Sequence, residues 1–343
     1  MAKRQGNYTL LLQNSPSVKA AAAVGGKLEG QGPLAQSFDY TGTDNAFGQK
    51  SWEAAESSMQ HKALELALTK AKLSCDDVDY IFAGDLLNQC VGSTFAMRQM
   101  GLPFVGLYGA CSTMAESLGL AALFAEGGFA RYAAAVTSSH FCSAERQFRF
   151  PLEYGGQRTP SAQWTATAAG AAVVGAKEKP PYLRAVTFGR MVDLGVKDAN
   201  NMGAAMAPAA ADTLCRFFAD TATAPTDYDL IATGDLGQVG SELLCQLAAC
   251  EGVDLRPNHV DCGLLLYDRR KAPQIGAGGS GCGCSASVLC GHLIPQLQKG
   301  MLQNLLFVAT GALMSPTSSQ QGETIPGIAH LVWLSTQPAK EDL

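Results

Sequence analysis

An internal repeat limits the fold of this chain more than any other feature of its sequence. The segment 79–86 (DYIFAGDL) returns as 229–236 (DLIATGDL), at an offset of 150 residues. Each copy is a short apolar run that stops at Gly-Asp, which is typical of a buried strand with a carboxylate at its C-terminal end. A repeat of about 150 residues indicates a duplicated domain rather than a solenoid unit.

A second set of matches follows the first, at a larger offset of 173 residues. Residues 110–112 (ACS) match 283–285 (GCS), and residues 135–137 (AVT) match 308–310 (VAT). The larger offset predicts an insertion in the second copy. We therefore divide the chain into an N-terminal half, 1–175, and a C-terminal half, 176–343, with the insertion around 240–275.

Both halves have the same predicted order of strand, small-residue elbow, helix, Gly break and strand. In the first half these are the strand 102–108, the elbow 109–111, the helix 112–126, the glycines 127–128 and the strand 132–137. Helical patterns precede the repeated strands at 51–73 and, in shorter form, at 208–218. This alternation predicts an α/β fold with largely parallel central strands and helices on both faces.

The composition fits a tightly packed protein and excludes several classes of function. The 343 residues include 37 Gly and only 16% charged residues, and the net charge of −5 gives no basic footprint for nucleic acid. Apolar runs are too short for a signal peptide or a membrane span, so we expect a soluble chain. The eleven cysteines lack any Cys-x-x-Cys spacing, which predicts reduced thiols and no structural zinc.

The duplicated halves and the cysteine at the elbow resemble the thiolase and ketoacyl-synthase superfamily. That resemblance implies a five-layered α/β/α/β/α fold, with Cys111 at the elbow that opens a buried helix. Within this superfamily the chain is similar to the stage V sporulation protein AD family of spore-forming bacteria. The motifs that carry this resemblance are 49–53 (QKSWE), 83–89 (AGDLLNQ), 109–113 (GACST), 137–140 (TSSH), 145–149 (ERQFR), 153–157 (EYGGQ), 202–213 (MGAAMAPAAADT), 261–263 (DCG) and 323–326 (ETIP).

The resemblance implies a non-enzymatic part of the spore machinery. Such a protein would bind dipicolinic acid, alone or with its calcium, and help to move it into the developing spore. Its expected partners are other stage V sporulation membrane proteins, which would hold it at the periphery of the spore inner membrane. The superfamily also implies a homodimer. No further cofactor is expected.

Cys111 is the first candidate for the site because it stands at the predicted N-terminus of a helix. Backbone N–H groups and the helix dipole favour an anion there and lower the pKa of a thiol. This environment suits a thiolate nucleophile and an anionic ligand equally well. The alternative is that Cys111 is one of eleven inert buried thiols.

A condensing enzyme needs more than this thiol. Type III ketoacyl synthases supply a His and an Asn from their second half, and by alignment these fall at Gly234 and near Cys282. Because both partners are missing, we predict a binding protein with no catalytic residue. One alternative is an acyltransferase that uses Cys111 with His140 as the base. Another is a scaffold whose pocket is vestigial.

Dipicolinate is planar with a carboxylate at each end, so its site needs donors at both ends and an apolar slot between them. We expect Ser138, Ser139 and His140, with the N–H groups behind the elbow cysteine, at one end. Arg146 and Arg149 are expected at the other end, through bidentate contacts. The alternatives are a structural hydrogen bond for His140, and an ion pair or subunit contact for the arginines.

Two carboxylates complete the predicted site. Asp85 and Asp235 end equivalent strands, so twofold symmetry would bring them toward one central region, where they could help to hold Ca²⁺. We favour the alternative that each caps the helix that follows, and predict no metal ligand. The full set of predicted ligand-binding residues is Asp85, Asn88, Cys111, Ser138, Ser139, His140, Arg146, Asp235 and Cys282.

Overall fold

The computed structural model describes residues 2–148 and 158–340, and its strands form one long mixed sheet and a small two-stranded one. The strands are β1 (Lys3–Gln5), β2 (Thr9–Leu11), β3 (Ser17–Gly25), β4 (Tyr40–Thr41), β5 (Tyr80–Gly84), β6 (Phe104–Leu107), β7 (Tyr132–Ser139), β8 (Trp164–Thr165), β9 (Ala168–Gly175), β10 (Tyr182–Phe188), β11 (Leu230–Thr233), β12 (His259–Asp261), β13 (Gly279–Ser280), β14 (Asn304–Ala312) and β15 (Gly327–Ser335). The α-helices are α1 (Trp52–Ala71), α2 (Val91–Met97), α3 (Thr113–Glu126), α4 (Phe141–Phe148), α5 (Met202–Thr221), α6 (Gly237–Cys250), α7 (Cys262–Leu266), α8 (Cys282–Val288), α9 (Ile294–Gln298) and α10 (Pro316–Gln320).

The large sheet repeats one pairing pattern twice, which confirms the predicted duplication. Its order is β12-β11-β14-β15-β10-β3-β9-β7-β5-β6. In the first half β9 is antiparallel to β3 and β7, whereas β7, β5 and β6 are mutually parallel. In the second half β15 is antiparallel to β10 and β14, whereas β14, β11 and β12 are parallel.

The prediction of largely parallel central strands is therefore wrong for β3, β9, β10 and β15. The three outer strands of each half are parallel, and β4 is parallel to β3, but β9 and β15 run antiparallel to both of their neighbours. The N-terminal hairpin of β1 and β2 also pairs with β10 of the second half. The boundary between residues 175 and 176 thus stays a prediction.

The helices complete the five layers that the resemblance implies. Helix α3 packs on β7 and β9 and also on β14 and β15, and α8 lies beside it against β9, β7 and β3. These two helices form the middle layer. Helices α1 and α2 cover the outer face of the first half, and α5 and α6 cover that of the second.

Small residues permit the close packing of the middle layer. A Cβ added at Gly170 of β9 would lie 2.4 Å from the Ala286 carbonyl oxygen of α8, and one at Gly283 would lie 2.1 Å from the Ala168 oxygen. Neither contact is possible for a larger residue, since both would fall far inside van der Waals distance. The high glycine content therefore reflects helix-on-sheet contact.

The start of α1 was predicted correctly from the sequence, whereas the start of α5 was not. Helix α1 begins where expected, because the Ser51 hydroxyl accepts a hydrogen bond from the Ala54 N–H group at 3.2 Å. Helix α5 is not the shorter counterpart that was predicted to begin at Pro208. It has 20 residues, like α1, and Asn201 caps it; Pro208 lies inside it.

The larger offset of the second half comes from a longer helix before β12 and from an extra segment between β12 and the second elbow. Helix α6 has 14 residues where the equivalent α2 has seven, and α7 follows β12 before the second elbow is reached. Along the described part of the chain, none of the helices has both the length and the apolar character that a membrane crossing requires.

Candidate functional site

The elbow between β6 and α3 presents Cys111 at the centre of the molecule. Ala110 adopts a left-handed conformation with φ of 49°, which turns the chain sharply into the helix. The Ser112 hydroxyl donates to the Gly109 oxygen at 2.7 Å, and the Thr113 hydroxyl donates to the Ala110 oxygen at 2.7 Å. These bonds hold the turn without using the thiol of Cys111.

The thiol of Cys111 is buried beside the carboxyl group of Asp235. Burial, followed by the charge of Asp235, raises the pKa of Cys111 well above the ordinary value for a thiol. The expectation that the helix N-terminus lowers this pKa is therefore wrong. Desolvation and a neighbouring carboxylate outweigh the helix dipole here.

Asp235 joins the two halves of the molecule at this point. Its carboxylate accepts hydrogen bonds from the Gly281 N–H group at 2.8 Å and from the hydroxyls of Thr310 and Ser280 at 2.9 and 3.2 Å. Gly281 immediately precedes α8, so Asp235 caps the second elbow and lies beside the thiol of the first. Burial raises its pKa.

Asp85 has a different set of partners, although it ends the equivalent strand. It accepts hydrogen bonds from the Leu87 N–H group at 2.8 Å and from the N–H and hydroxyl groups of Ser93 at 2.7 and 2.6 Å. These donors belong to the following turn and to α2. In residues 2–148 and 158–340, no group of three or more His, Cys, Asp or Glu side chains is arranged to hold a metal ion.

Asp85 lies close to a second buried carboxyl group that the sequence analysis did not select, that of Glu56 in α1. A Cβ at Gly92 would lie 3.1 Å from the Asp85 carboxyl carbon and 3.4 Å from that of Glu56. Glu56 accepts hydrogen bonds from the hydroxyls of Ser138 and Ser143 at 3.1 and 2.8 Å. Burial and the charge of Asp85 raise the pKa of Glu56 to about 8.

His140 is placed directly after β7, as predicted, but its ring is engaged in structural contacts. Nε2 lies 2.7 Å from the Asn45 oxygen, Nδ1 accepts a hydrogen bond from the Cys142 N–H group at 3.2 Å, and the ring stacks on Trp52. Burial lowers the pKa of His140. These contacts match the structural alternative and leave no ring nitrogen for a ligand.

The two serines of the same strand point to opposite sides of the sheet. The Ser138 hydroxyl bonds with Glu56 toward α1, whereas the Ser139 hydroxyl donates to the Ala166 oxygen at 2.7 Å. Cys282 donates its thiol hydrogen to the Ser138 oxygen at 2.9 Å and packs against Cys111. The serines therefore do not form one end of a common pocket, and Cys282 is fully buried beside the elbow.

The remaining predicted residues lie nearer the surface. Asn88 is exposed, and its N–H group donates to the Gln147 side chain at 3.1 Å. Arg146 is half exposed and forms an ion pair with Glu53, which matches the ion-pair alternative. Arg149 and the motif at 153–157 lie outside the described residues.

A small cavity of about 40 Å³ adjoins the elbow, and Cys111 is one of the residues that line it. The lining is largely apolar, with a few polar groups at its edges. Residues that line it are Leu86, Tyr108, Ala110, Cys111, Ala144, Glu145, Phe148, Thr165, Met202, Ser280, Ala312 and Met314. Only the elbow itself gave a sequence signal for this cavity, because the other residues come from six separate segments.

Comparison with solved structures identifies the class of fold. The human mitochondrial 3-ketoacyl-CoA thiolase in complex with CoA superposes with a TM-score of 0.60 at 11% identity, covering 95% of this chain and 99% of the thiolase. The 3-oxoacyl-[acyl-carrier-protein] synthase III of Aquifex aeolicus VF5 gives a TM-score of 0.54 at 12% identity, covering 93% and 99%. The protein therefore has a thiolase-like fold.

Sequence comparison then identifies the family. The model of "Stage V sporulation protein AD (SpoVAD)" matches residues 6–335. The stage V sporulation protein AD of Bacillus subtilis (strain 168) is 45% identical over 328 residues, covering 96% of each chain. The chain belongs to the stage V sporulation protein AD family, as its motifs predicted.

Proposed function

We propose that this chain is a non-enzymatic sporulation protein that binds dipicolinic acid, alone or as its calcium complex. In this role it supports uptake of the acid into the developing spore, together with membrane-bound stage V sporulation proteins at the spore inner membrane. Membership of the stage V sporulation protein AD family supports the sporulation role.

The observation that supports a non-enzymatic function is the environment of the Cys111 thiol. The Cys111 thiol is buried beside Asp235, and burial raises its pKa. A condensing enzyme needs the thiolate, which requires a base or a nearby positive charge. The position aligned with the missing His is Gly234, and the one aligned with the missing Asn is the buried Cys282.

The cavity beside Cys111 is the proposed binding site, and it has to open to admit a ligand. Its volume of about 40 Å³ is close to the ~30 Å³ that one water molecule occupies in the liquid. Pockets for small molecules usually measure about 300–1,000 Å³. Met202 and Met314 line the cavity, and their flexible side chains can move aside at low cost.

Calorimetry with the full-length protein tests this proposal. We expect saturable binding of dipicolinate, measured with and without Ca²⁺, and weaker binding to a Cys111→Leu variant whose longer side chain fills the cavity. Cys250→Leu is the matched control, because Cys250 is exposed on α6. Absence of binding to the wild-type protein would refute the ligand assignment.

A second candidate function is an acyltransferase or condensing enzyme that uses Cys111. The retained elbow supports it, since the solved structures of the same fold include a 3-oxoacyl synthase and a thiolase. Incubation with acyl-CoA followed by peptide mass spectrometry distinguishes the two functions. Stable acylation of Cys111 supports the enzyme, and an unmodified Cys111 supports the binding protein.

The proposed assembly is a homodimer that extends the large sheet. Strand β6 is the last in the order of paired strands, and Val105 and Tyr108 beside it are 37% and 44% exposed. An edge strand with exposed apolar residues readily pairs with another chain. Light scattering should detect a dimer, and Val105→Lys should shift it toward the monomer.

A further inference from the structure

An ion pair forms one wall of the cavity beside Cys111. Glu145 of α4 lines the cavity and is only 2% exposed. Its Oε2 atom lies 2.8 Å from Nη2 of Arg158, and its Oε1 atom accepts a hydrogen bond from the Thr165 hydroxyl at 3.3 Å. The arginine is 23% exposed, so it is partly accessible to solvent while it contacts Glu145.

Two aromatic rings and a backbone oxygen hold this arginine in place. Phe141 and Trp164 stack with their ring centroids 3.9 Å apart, and the Arg158 guanidinium lies 5.2 and 5.1 Å from them. Nη1 donates to the Gln163 oxygen at 2.8 Å. A guanidinium held by aromatic faces and a fixed acceptor is pre-organised, so little entropy is lost when it binds an anion.

The charge on this wall opposes the ligand that the proposed function requires. A dicarboxylate that enters the cavity lies next to the Glu145 carboxylate. Two neighbouring negative charges repel each other. The predicted arginine cannot offset that repulsion, because Arg146 is paired with Glu53 on the surface. Arg158 is a cation that already contacts Glu145 in the cavity wall.

We infer that Arg158 binds a carboxylate of the ligand, in exchange for the carboxylate of Glu145. This inference rests on the proposed function, since it names the residue that recognises the dicarboxylate. A guanidinium binds carboxylates in a bidentate manner, so one carboxylate replaces another on the same donors. Glu145 is then a competing internal anion that weakens ligand binding.

Variants of the two residues should have opposite effects on dipicolinate binding measured by calorimetry at low salt. Arg158→Gln should weaken binding about tenfold or more, the loss of one charged hydrogen-bonded contact. Glu145→Gln should strengthen binding several-fold, because it removes the competing charge. Arg146→Gln is the matched control and should bind like the wild type. Arg146 follows Glu145 on α4, but its side chain is half exposed and pairs with Glu53.

Because Arg158→Gln leaves a buried carboxylate without its cation, this variant could fail to fold. The double variant Glu145→Gln/Arg158→Gln removes both charges and should fold, yet still bind dipicolinate at least tenfold more weakly than Glu145→Gln alone. Trp164 gives a second measurement in a Trp52→Phe/Trp333→Phe background, where it is the remaining tryptophan. Its emission should change on binding, because the guanidinium beside it changes partner.

The outcomes separate the inference from the proposed function. If the wild type binds dipicolinate but the double variant binds as tightly as Glu145→Gln, Arg158 is not the anchor and the inference is wrong. Equal affinities for Glu145→Gln and the wild type would also contradict the exchange. If the wild type does not bind dipicolinate, both the inference and the proposed ligand are wrong.

Discussion

The two outer layers of the molecule each contain a 20-residue helix at an equivalent position, but these two helices bury different kinds of side chains. Helices α1 and α5 are both 20 residues long and begin at residues 52 and 202, so the offset of 150 holds along their length. In α1 the buried face carries Glu56 and Gln60, whereas the equivalent positions in α5 are Met206 and Ala210. The first half thus buries a polar network where the second half buries an apolar core.

The same difference explains why Asp85 and Asp235 have separate roles. Asp85 faces the outer layer, where Glu56 and Ser93 surround it. Asp235 reaches the middle layer instead, where it accepts a hydrogen bond from Gly281 and lies beside Cys111. A duplicated backbone therefore does not duplicate a site, because each strand end acquires its partners from a different layer.

The largest expected effect comes from copying the polar residue of the first half into the second. Met206→Glu should destabilise the protein by about 3–5 kcal/mol or prevent folding, because no hydroxyl pair receives the buried carboxylate there. Denaturant unfolding measures the effect, with Met206→Leu as a control that keeps the apolar core. A loss of stability below about 1 kcal/mol would show that both outer layers tolerate a buried carboxyl group equally well.

Asparagine substitutions of the two aspartates should separate their roles. Asp235→Asn removes the charge beside Cys111 and should therefore lower the pKa of the thiol. We expect its alkylation rate at a fixed pH to rise at least about tenfold, because a pKa lowered by one unit gives about ten times more thiolate. Asp85→Asn removes an equivalent charge in the outer layer and should leave that rate unchanged. Equal rates in both variants would contradict the pairing of Cys111 with Asp235.

The buried network of the first half should make stability depend on pH. The pKa of Glu56 is raised to about 8 when folded, so the folded state binds more protons than the unfolded one above pH ~4.5. The stability contributed by neutral Glu56 is complete below that pH and is lost as the pH rises toward 8. Asp85, the adjacent acid, has its pKa raised too.

Glu56→Gln tests this dependence without changing the shape of the side chain. Between pH 5 and 8 the wild type should lose on the order of 2 kcal/mol more stability than this variant, as measured by urea unfolding at several pH values. If the unfolding free energies of the two proteins changed equally with pH, Glu56 would not be protonated in the folded state.

The smallest effect is expected at the surface of α4. Arg146→Ala removes an ion pair with Glu53 whose side chains are 52% and 32% exposed, and such pairs contribute ~0–1 kcal/mol. Thermal unfolding should change by a few degrees at most. A large loss would indicate that Arg146 has a structural role that its exposure does not reveal.

Much of the fold could be predicted from the sequence because the pattern of strands, elbows and helices occurs twice. The elbow at Cys111 was predicted for the same reason. Helix α5 was mispredicted because Pro208 is a common first helical residue, whereas here it lies within a helix that Asn201 caps.

The other site residues could not be predicted, because their orientation depends on the alternation within each element. Ser138 and Ser139 are neighbours on one strand, so they face opposite sides of the sheet. Glu145 and Arg146 are neighbours on one helix, and only Glu145 faces the cavity. Arg158 gave no signal, because no sequence motif indicated its contact with Glu145, 13 residues earlier in the chain.

The most direct test of the central claim is the pH at which Cys111 becomes a thiolate. The pH dependence of its alkylation, followed by peptide mass spectrometry with the exposed Cys250 as an internal reference, gives this value. A binding protein whose elbow thiol is buried beside Asp235 should show a midpoint well above the ordinary value for a thiol. A midpoint below pH ~7 would reveal an activated nucleophile and contradict the non-enzymatic role.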